Sequence, residues 1–164
     1  MLELKIIDNV LELYLAKEHS FERQDHWKNL IAKILSHAVK NQSVILVRMK
    51  TTNTTLLDYL NSIFKFKNRG FNYSIEAMPD SIGELPNDDE FMLSDVYVFI
   101  NMQQKDRINI PFIFSILGDE KHLIEKFPNL EVIYMGSDGD SFHWVNISGV
   151  NQKICCDIVN NEKY

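Results

Sequence analysis

This chain of 164 residues lacks most of the short signatures that announce chemistry. It has no His-Glu-x-x-His, no Gly-x-Ser-x-Gly, no glycine-rich phosphate loop and no dinucleotide fingerprint. It has only two cysteines, Cys155 and Cys156, and they are adjacent, which excludes a disulfide framework and fits a reducing compartment. No apolar run approaches the roughly 18 residues of a membrane span, and the N-terminus MLELKIIDNV has no basic segment followed by a long apolar core. The expectation is therefore a cytoplasmic protein with no membrane partner. A basic excess is missing too: the formal charge is −6, which argues against nucleic acid as the partner. Internal repeats and low-complexity segments are absent.

What is present is an ordinary globular composition. Hydrophobic residues make up 45% and charged residues 24%, with ten Phe, six Tyr and two Trp, so disorder of the whole chain is excluded. The length suits one domain spanning residues 1–164, with enough buried surface to need no staples.

Hydrophobic periodicity divides the chain into elements. Leu2, Leu4 and Ile6, then Leu11, Leu13 and Leu15, alternate around Asp8-Asn9 and predict a β-hairpin. Ser20 is placed to cap a helix whose apolar residues, from Phe21 through Trp27, Ile31 and Ile34 to Ala38, recur at three- and four-residue steps. Residues 43–49 suit a buried strand. Thr52 or Asn53 would cap a second helix with Leu56, Leu60, Ile63 and Phe64 inside, ending near Gly70. Strands are expected at 71–77, 95–101 and 110–117, the last with Pro111 near its start. A short helix opens at Gly118 or Asp119 and ends at Pro128. Strands at 131–136, 141–147 and 152–158 follow, joined by the turns Ser137-Asp138-Gly139-Asp140 and Ser148-Gly149-Val150-Asn151. The sum is an α+β fold: a single mixed, mainly antiparallel sheet of six to eight strands with about three helices.

Among candidate chemical groups, His143 stands out. It follows Asp138 and Asp140 at the end of a hairpin, where a histidine and two carboxylates can bind a metal or act as base and orienter in a small hydrolase. The competing view is that Asp and Gly simply make the tight turn, with His143 alternating outward between Phe142 and Trp144. His122 and Glu125, and Glu22 and His26, form helical pairs without the second half of any metal motif. The cysteine pair has no basic cluster nearby to lower a thiol pKa. Thr51–Thr55 lies between strand and helix, but has no glycines to bring backbone amides onto a phosphate. No catalytic residue or cofactor is assigned.

The charge is unevenly placed. Glu76, Asp80, Glu84, Asp88, Asp89, Glu90 and Asp95 occupy twenty residues that contain no Lys or Arg, while the rest of the chain carries 17 bases against 16 acids. Residues 78–94 hold Pro79, Gly83 and Pro86 and show no periodicity, so they predict a long loop. Apolar residues such as Ile82, Leu85 and Phe91 lie among the acids, as in interfaces that combine a charged rim with an apolar anchor.

Two segments carry a resemblance. Leu85-Pro86-Asn87-Asp88-Asp89-Glu90-Phe91 is similar to a Leu-Pro-x-Asp helix entry, and Gly136-Ser137-Asp138-Gly139-Asp140-Ser141-Phe142 to a Gly-rich turn before a strand. Both resemble the SUKH superfamily, many of whose members are bacterial immunity proteins that block toxins. The resemblance implies a non-enzymatic protein-binding module that occludes a basic toxin, such as a nuclease, without catalytic residues of its own. The surface expected to do so comprises Glu84, Asp88, Asp89, Glu90, Phe91, Asp138, Asp140, His143 and Trp144. The alternative is the hydrolase centred on His143, Asp138 and Asp140. Exposed strands and many aromatics also suit a homodimer, with the oligomeric state left open.

Overall fold

The N-terminal alternation becomes a hairpin because of its turn. In the computed structural model, which describes residues 2–15, 21–39, 44–48, 64–69, 72–77, 96–136 and 141–162, β1 (Leu2–Ile7) pairs antiparallel with β2 (Val10–Leu15). Asp8 and Asn9 between them have φ of 47° and 65°. A two-residue turn with both φ positive matches the twist of the flanking strands, and Asp and Asn tolerate that region better than other side-chain-bearing residues. The turn fixes the register, so Leu2, Leu4 and Ile6 share a face with Leu11, Leu13 and Leu15.

The remaining strands are β3 (Val44–Arg48), β4 (Phe64–Arg69), β5 (Asn72–Ala77), β6 (Val96–Ile100), β7 (Glu131–Met135) and β8 (Ser141–Val145). They form one sheet in the order β1-β2-β8-β7-β6-β3-β5-β4, and every pairing is antiparallel. The α+β expectation holds at this level.

Each face has its own core. On one side lie α1 (Phe21–Val39) and a C-terminal helix, Gly149–Asn161, called α4 below. Leu30, Ile31, Ile34 and Ala38 of α1 and Cys155 and Val159 of α4 pack there on Leu11, Leu13, Phe142 and Trp144. On the other side α2 (Ile110–Ser115), entered through a 3₁₀ turn at Gln104–Asn109, and α3 (Glu120–Lys126) place Ile113 and Leu123 on Val10, Phe99, Val132 and Val145. Asp119 caps α3 by accepting a hydrogen bond from the His122 N–H at 3.2 Å.

Three expected elements are different. Residues 110–117 are not a strand: Pro111 lies in the first turn of α2, where its missing N–H costs nothing, and a short all-apolar run carries no period to separate helix from strand. Residues 152–158 belong to helix α4. Ser148 is its N-cap, accepting from the Asn151 N–H at 3.3 Å, so the expected turn is a helix start. Asn151, Cys155 and Val159, four residues apart, are the buried positions of that helix. Residues 64–69 form strand β4, not the end of a helix, and Phe64-Lys65-Phe66-Lys67 alternates with period two. Helix geometry therefore governs the cysteines: Cys155 is buried and Cys156 half-buried, and both are free thiols. Burial pushes the Cys155 thiol up to about 12, which makes it inert. The helix expected from Thr52 to Ile63, the Ser20 cap, the acidic loop 78–94 and the turn 137–140 lie outside the described residues.

Candidate metal centre on the sheet face

Strand order assembles a polar row that sequence proximity does not. Lys5 lies opposite Glu12, Glu12 opposite His143, His143 opposite Tyr134 and Tyr134 opposite Tyr97. Residues opposite one another in a ladder share a face, so these side chains cross β1, β2, β8, β7 and β6 on the α2–α3 side. The neighbouring row, Ile7–Val10–Val145–Val132–Phe99, is apolar. Helices α2 and α3 cover that row from Val10 to Phe99 and leave Ile7 exposed. Glu120, in the first turn of α3, reaches the polar one.

Glu12, Glu120 and His143 converge, their ligating atoms all within 4.8 Å of one another. His143 Nδ1 is 3.6 Å from Glu12 Oε1, and His143 Nε2 is 3.2 Å from Ser141 Oγ. The imidazole lies flat on the Tyr134 ring, centroids 4.7 Å apart with planes 5° from parallel, and Tyr14 meets it edge-on at 6.1 Å. Each carboxylate is held by a tyrosine: the Tyr14 hydroxyl donates to Glu12 at 2.9 Å and the Tyr134 hydroxyl to Glu120 at 3.0 Å. Burial, followed by the charge and hydrogen bond of Glu120, raises the Tyr134 pKa well above its ordinary value. Burial and the bond to Glu12 raise that of Tyr14. Both phenols therefore stay protonated and remain donors at neutral pH.

The group is reachable. A cleft of about 500 Å³ runs beside it, with Ile7, Val10 and Ile124 as an apolar wall and Asp8, Glu12, Glu120 and Lys121 as polar lining. A similar cleft of about 530 Å³, lined by Asn101, Lys105, Phe112 and Lys126, has no such convergence of ligating groups among the described residues.

The arrangement suits a divalent cation. One imidazole and two carboxylates are ligands for Zn²⁺ or Mn²⁺. Two ligands on a cation at bond lengths of about 2.1 Å lie roughly 3.4 Å apart in tetrahedral geometry, close to the spacing of His143 Nδ1 and Glu12 Oε1. Glu120 offers the second carboxylate of the set. Around such an ion, Ser141 at Nε2 and the two tyrosines would be the outer partners that fix ligand orientation.

Of the residues expected at a functional surface, His143 is here, on β8, with a side chain 14% exposed. Its carboxylate neighbours are Glu12 and Glu120. Asp138 and Asp140, like Glu84, Asp88, Asp89, Glu90 and Phe91, lie outside the described residues. Trp144 is corrected: it points to the opposite face, is fully buried, and donates from Nε1 to Glu131 at 2.8 Å, so it is a core residue and not part of a docking surface. Two other histidines have carboxylates close by. His122 Nδ1 is 3.8 Å from Asp119 and His26 Nδ1 is 3.9 Å from Glu162. Glu12, Glu120, Tyr14 and Tyr134 were missed by sequence reasoning. The only available signal was that Glu12 and Tyr14 alternate with Leu11, Leu13 and Leu15, which marks a second, polar face of β2. Comparison of the chain with protein-family models, curated proteins and solved structures gives no match.

Proposed function

We propose that this domain binds a divalent transition-metal ion through Glu12, Glu120 and His143 and uses it as a Lewis acid for hydrolysis of a small substrate held in the adjoining cleft. The observation that supports this is the convergence, within 4.8 Å, of three ligating side chains brought from β2, α3 and β8. Three protein ligands leave coordination positions for water and substrate, as hydrolytic metal sites require. This reading keeps His143 from the hydrolase alternative and takes Glu12 and Glu120 as its carboxylates, Asp138 and Asp140 lying outside the described residues.

Calorimetric titration of the metal-stripped protein with Zn²⁺ and Mn²⁺ tests it. One ion is expected to bind per chain, with stability rising by about 2.7 kcal/mol at a hundredfold excess over Kd. Glu12→Gln, Glu120→Gln and His143→Ala should each abolish most of that gain. Binding that is absent, or equal in all three variants, overturns the proposal. A panel of ester and phosphoester substrates, run with and without the ion, then tests for hydrolysis.

The charge segregation in residues 76–95 supports a second role, docking of a basic protein such as a toxin nuclease. Such a complex would be 1:1 and would associate more slowly as salt rises. Neutralising Asp88, Asp89 and Glu90 together should weaken it. Unchanged affinity and salt dependence would remove this role and leave the metal site untouched.

A further inference from the structure

The outer edge of β1 ends the sheet, with no strand paired to it among the described residues. Its hydrogen-bonding groups can be assigned from the turn. In a two-residue hairpin the residues flanking the turn, Ile7 and Val10, form a hydrogen-bonded pair. Hydrogen-bonded and non-hydrogen-bonded pairs alternate along an antiparallel ladder, so Ile7, Lys5 and Glu3 bond inward to β2. Leu2, Leu4 and Ile6 therefore turn their N–H and C=O groups outward.

We infer that β1 is a homodimerisation edge on which a second copy of this chain pairs antiparallel, with Leu4 opposite its own counterpart on the two-fold axis. In this register Leu2 meets the second copy's Ile6, and all outward groups of residues 2, 4 and 6 find partners. Glu3 meets the second copy's Lys5, and Lys5 its Glu3.

Charge selects this register. Outward groups bond only when shifts are made two residues at a time. Shifting by two in one direction sets Glu3 against Glu3; shifting the other way sets Lys5 against Lys5. Like charges directly opposite are destabilising. Edges guarded against pairing carry charges that repel an approaching strand, whereas these two are of opposite sign and spaced to complement themselves. The apolar side agrees. Leu2, Leu4 and Ile6 are only half-buried and already extend the α1–α4 core to the edge, and the second copy's identical residues would complete their burial. The axis is perpendicular to the sheet, so α1 and α4 of both copies lie on one face and both candidate metal sites on the other.

Sedimentation equilibrium of the full chain should give a dimer, twice the 19.2 kDa of one copy. Glu3→Lys and Lys5→Glu each place like charges opposite one another on both sides of the axis, and each should raise the dimer Kd about tenfold or more. The two side chains are 60% and 53% exposed, so the monomer fold should survive, with unchanged circular dichroism as the control. Mixing the two variants pairs lysines with glutamates and should restore a dimer. The double reversal should restore it within one chain. A monomer at every soluble concentration overturns the inference, as does a dimer indifferent to both reversals, which would use another surface. Neither outcome bears on cation binding, which is read separately.

Discussion

Strands β7 and β8 carry a polar cluster on each face, and the two are built to opposite ends. On the α1–α4 face Glu131 is 6% exposed and accepts from Trp144 Nε1 at 2.8 Å and from Asn151 Nδ2 at 3.0 Å, while Asn151 Oδ1 lies 3.1 Å from His37 Nε2. A buried carboxylate is thus served by uncharged donors from β8 and α4, and Glu131, Trp144 and Asn151 are closed to solvent, with His37 half-buried at the rim. On the α2–α3 face Glu12 and Glu120 each accept from one tyrosine and keep lone pairs toward a cleft, beside an imidazole nitrogen 3.6 Å away. The first cluster satisfies its carboxylate and locks α4 onto the sheet. The second collects negative charge where a cation can enter. Sequence neighbours divide between them: Trp144 belongs to the closed cluster and His143 to the open one.

The contrast predicts that changes on one face alter stability and changes on the other alter binding. The largest effect should come from Glu131→Leu. It leaves the Trp144 and Asn151 donors buried without an acceptor, at a cost of about 1–3 kcal/mol for each, read from urea denaturation. Cation affinity of the folded fraction should be unchanged. His143→Ala should behave in reverse: a loss of about 1 kcal/mol in stability, from the stacked contact with Tyr134, and a fall in cation affinity exceeding the roughly 10–100-fold expected for an outer partner. If Glu131→Leu weakened cation binding as much as His143→Ala, the two clusters would form one coupled unit and the distinction would fail. Tyr134→Phe is intermediate. It removes the donor that aims Glu120 and should cost about tenfold in affinity, measured by the same titration.

How far these features could be seen in the sequence depends on the distance over which each is determined. The hairpin at Asp8-Asn9, helix α1 and strands β7 and β8 are set by local period and turn chemistry, and they were legible. Helix α4 was not. Ile154, Cys155, Cys156, Ile158 and Val159 are apolar on neighbouring as well as alternate positions, and Ser148 signals a turn as readily as an N-cap. For the candidate site, His143 was legible as a polar residue in an apolar strand. Its partners were not, because β2 lies beside β8 only through a pairing across some 130 residues, and Glu120 arrives on a helix whose docking depends on the core beneath it. Local patterns name the residues of an element but not the element's neighbours.

The smallest effect tests whether Tyr134 holds Glu120 as described. Its pKa is raised by burial first, then by the charge and hydrogen bond of Glu120. A tyrosine that folding holds protonated contributes stability that is constant below its ordinary value of 10.0 and is lost as pH climbs above it. Cys155 adds a similar loss between its ordinary 9.0 and about 12, caused chiefly by burial on the other face. In Glu120→Gln the negative charge is gone but burial remains. Tyr134 should then ionise at lower pH than in the parent, still above 10.0, while the Cys155 titration stays in place. Tyrosinate and thiolate absorbance followed across the alkaline range, with Tyr134→Phe to assign the shifted signal, reads both. A tyrosinate curve unmoved by Glu120→Gln would mean that the carboxylate is not held at that hydroxyl. The open cluster would then lack the outer partner that fixes one of its three ligands, leaving His143 and Glu12 to bind a cation alone, with correspondingly weaker affinity.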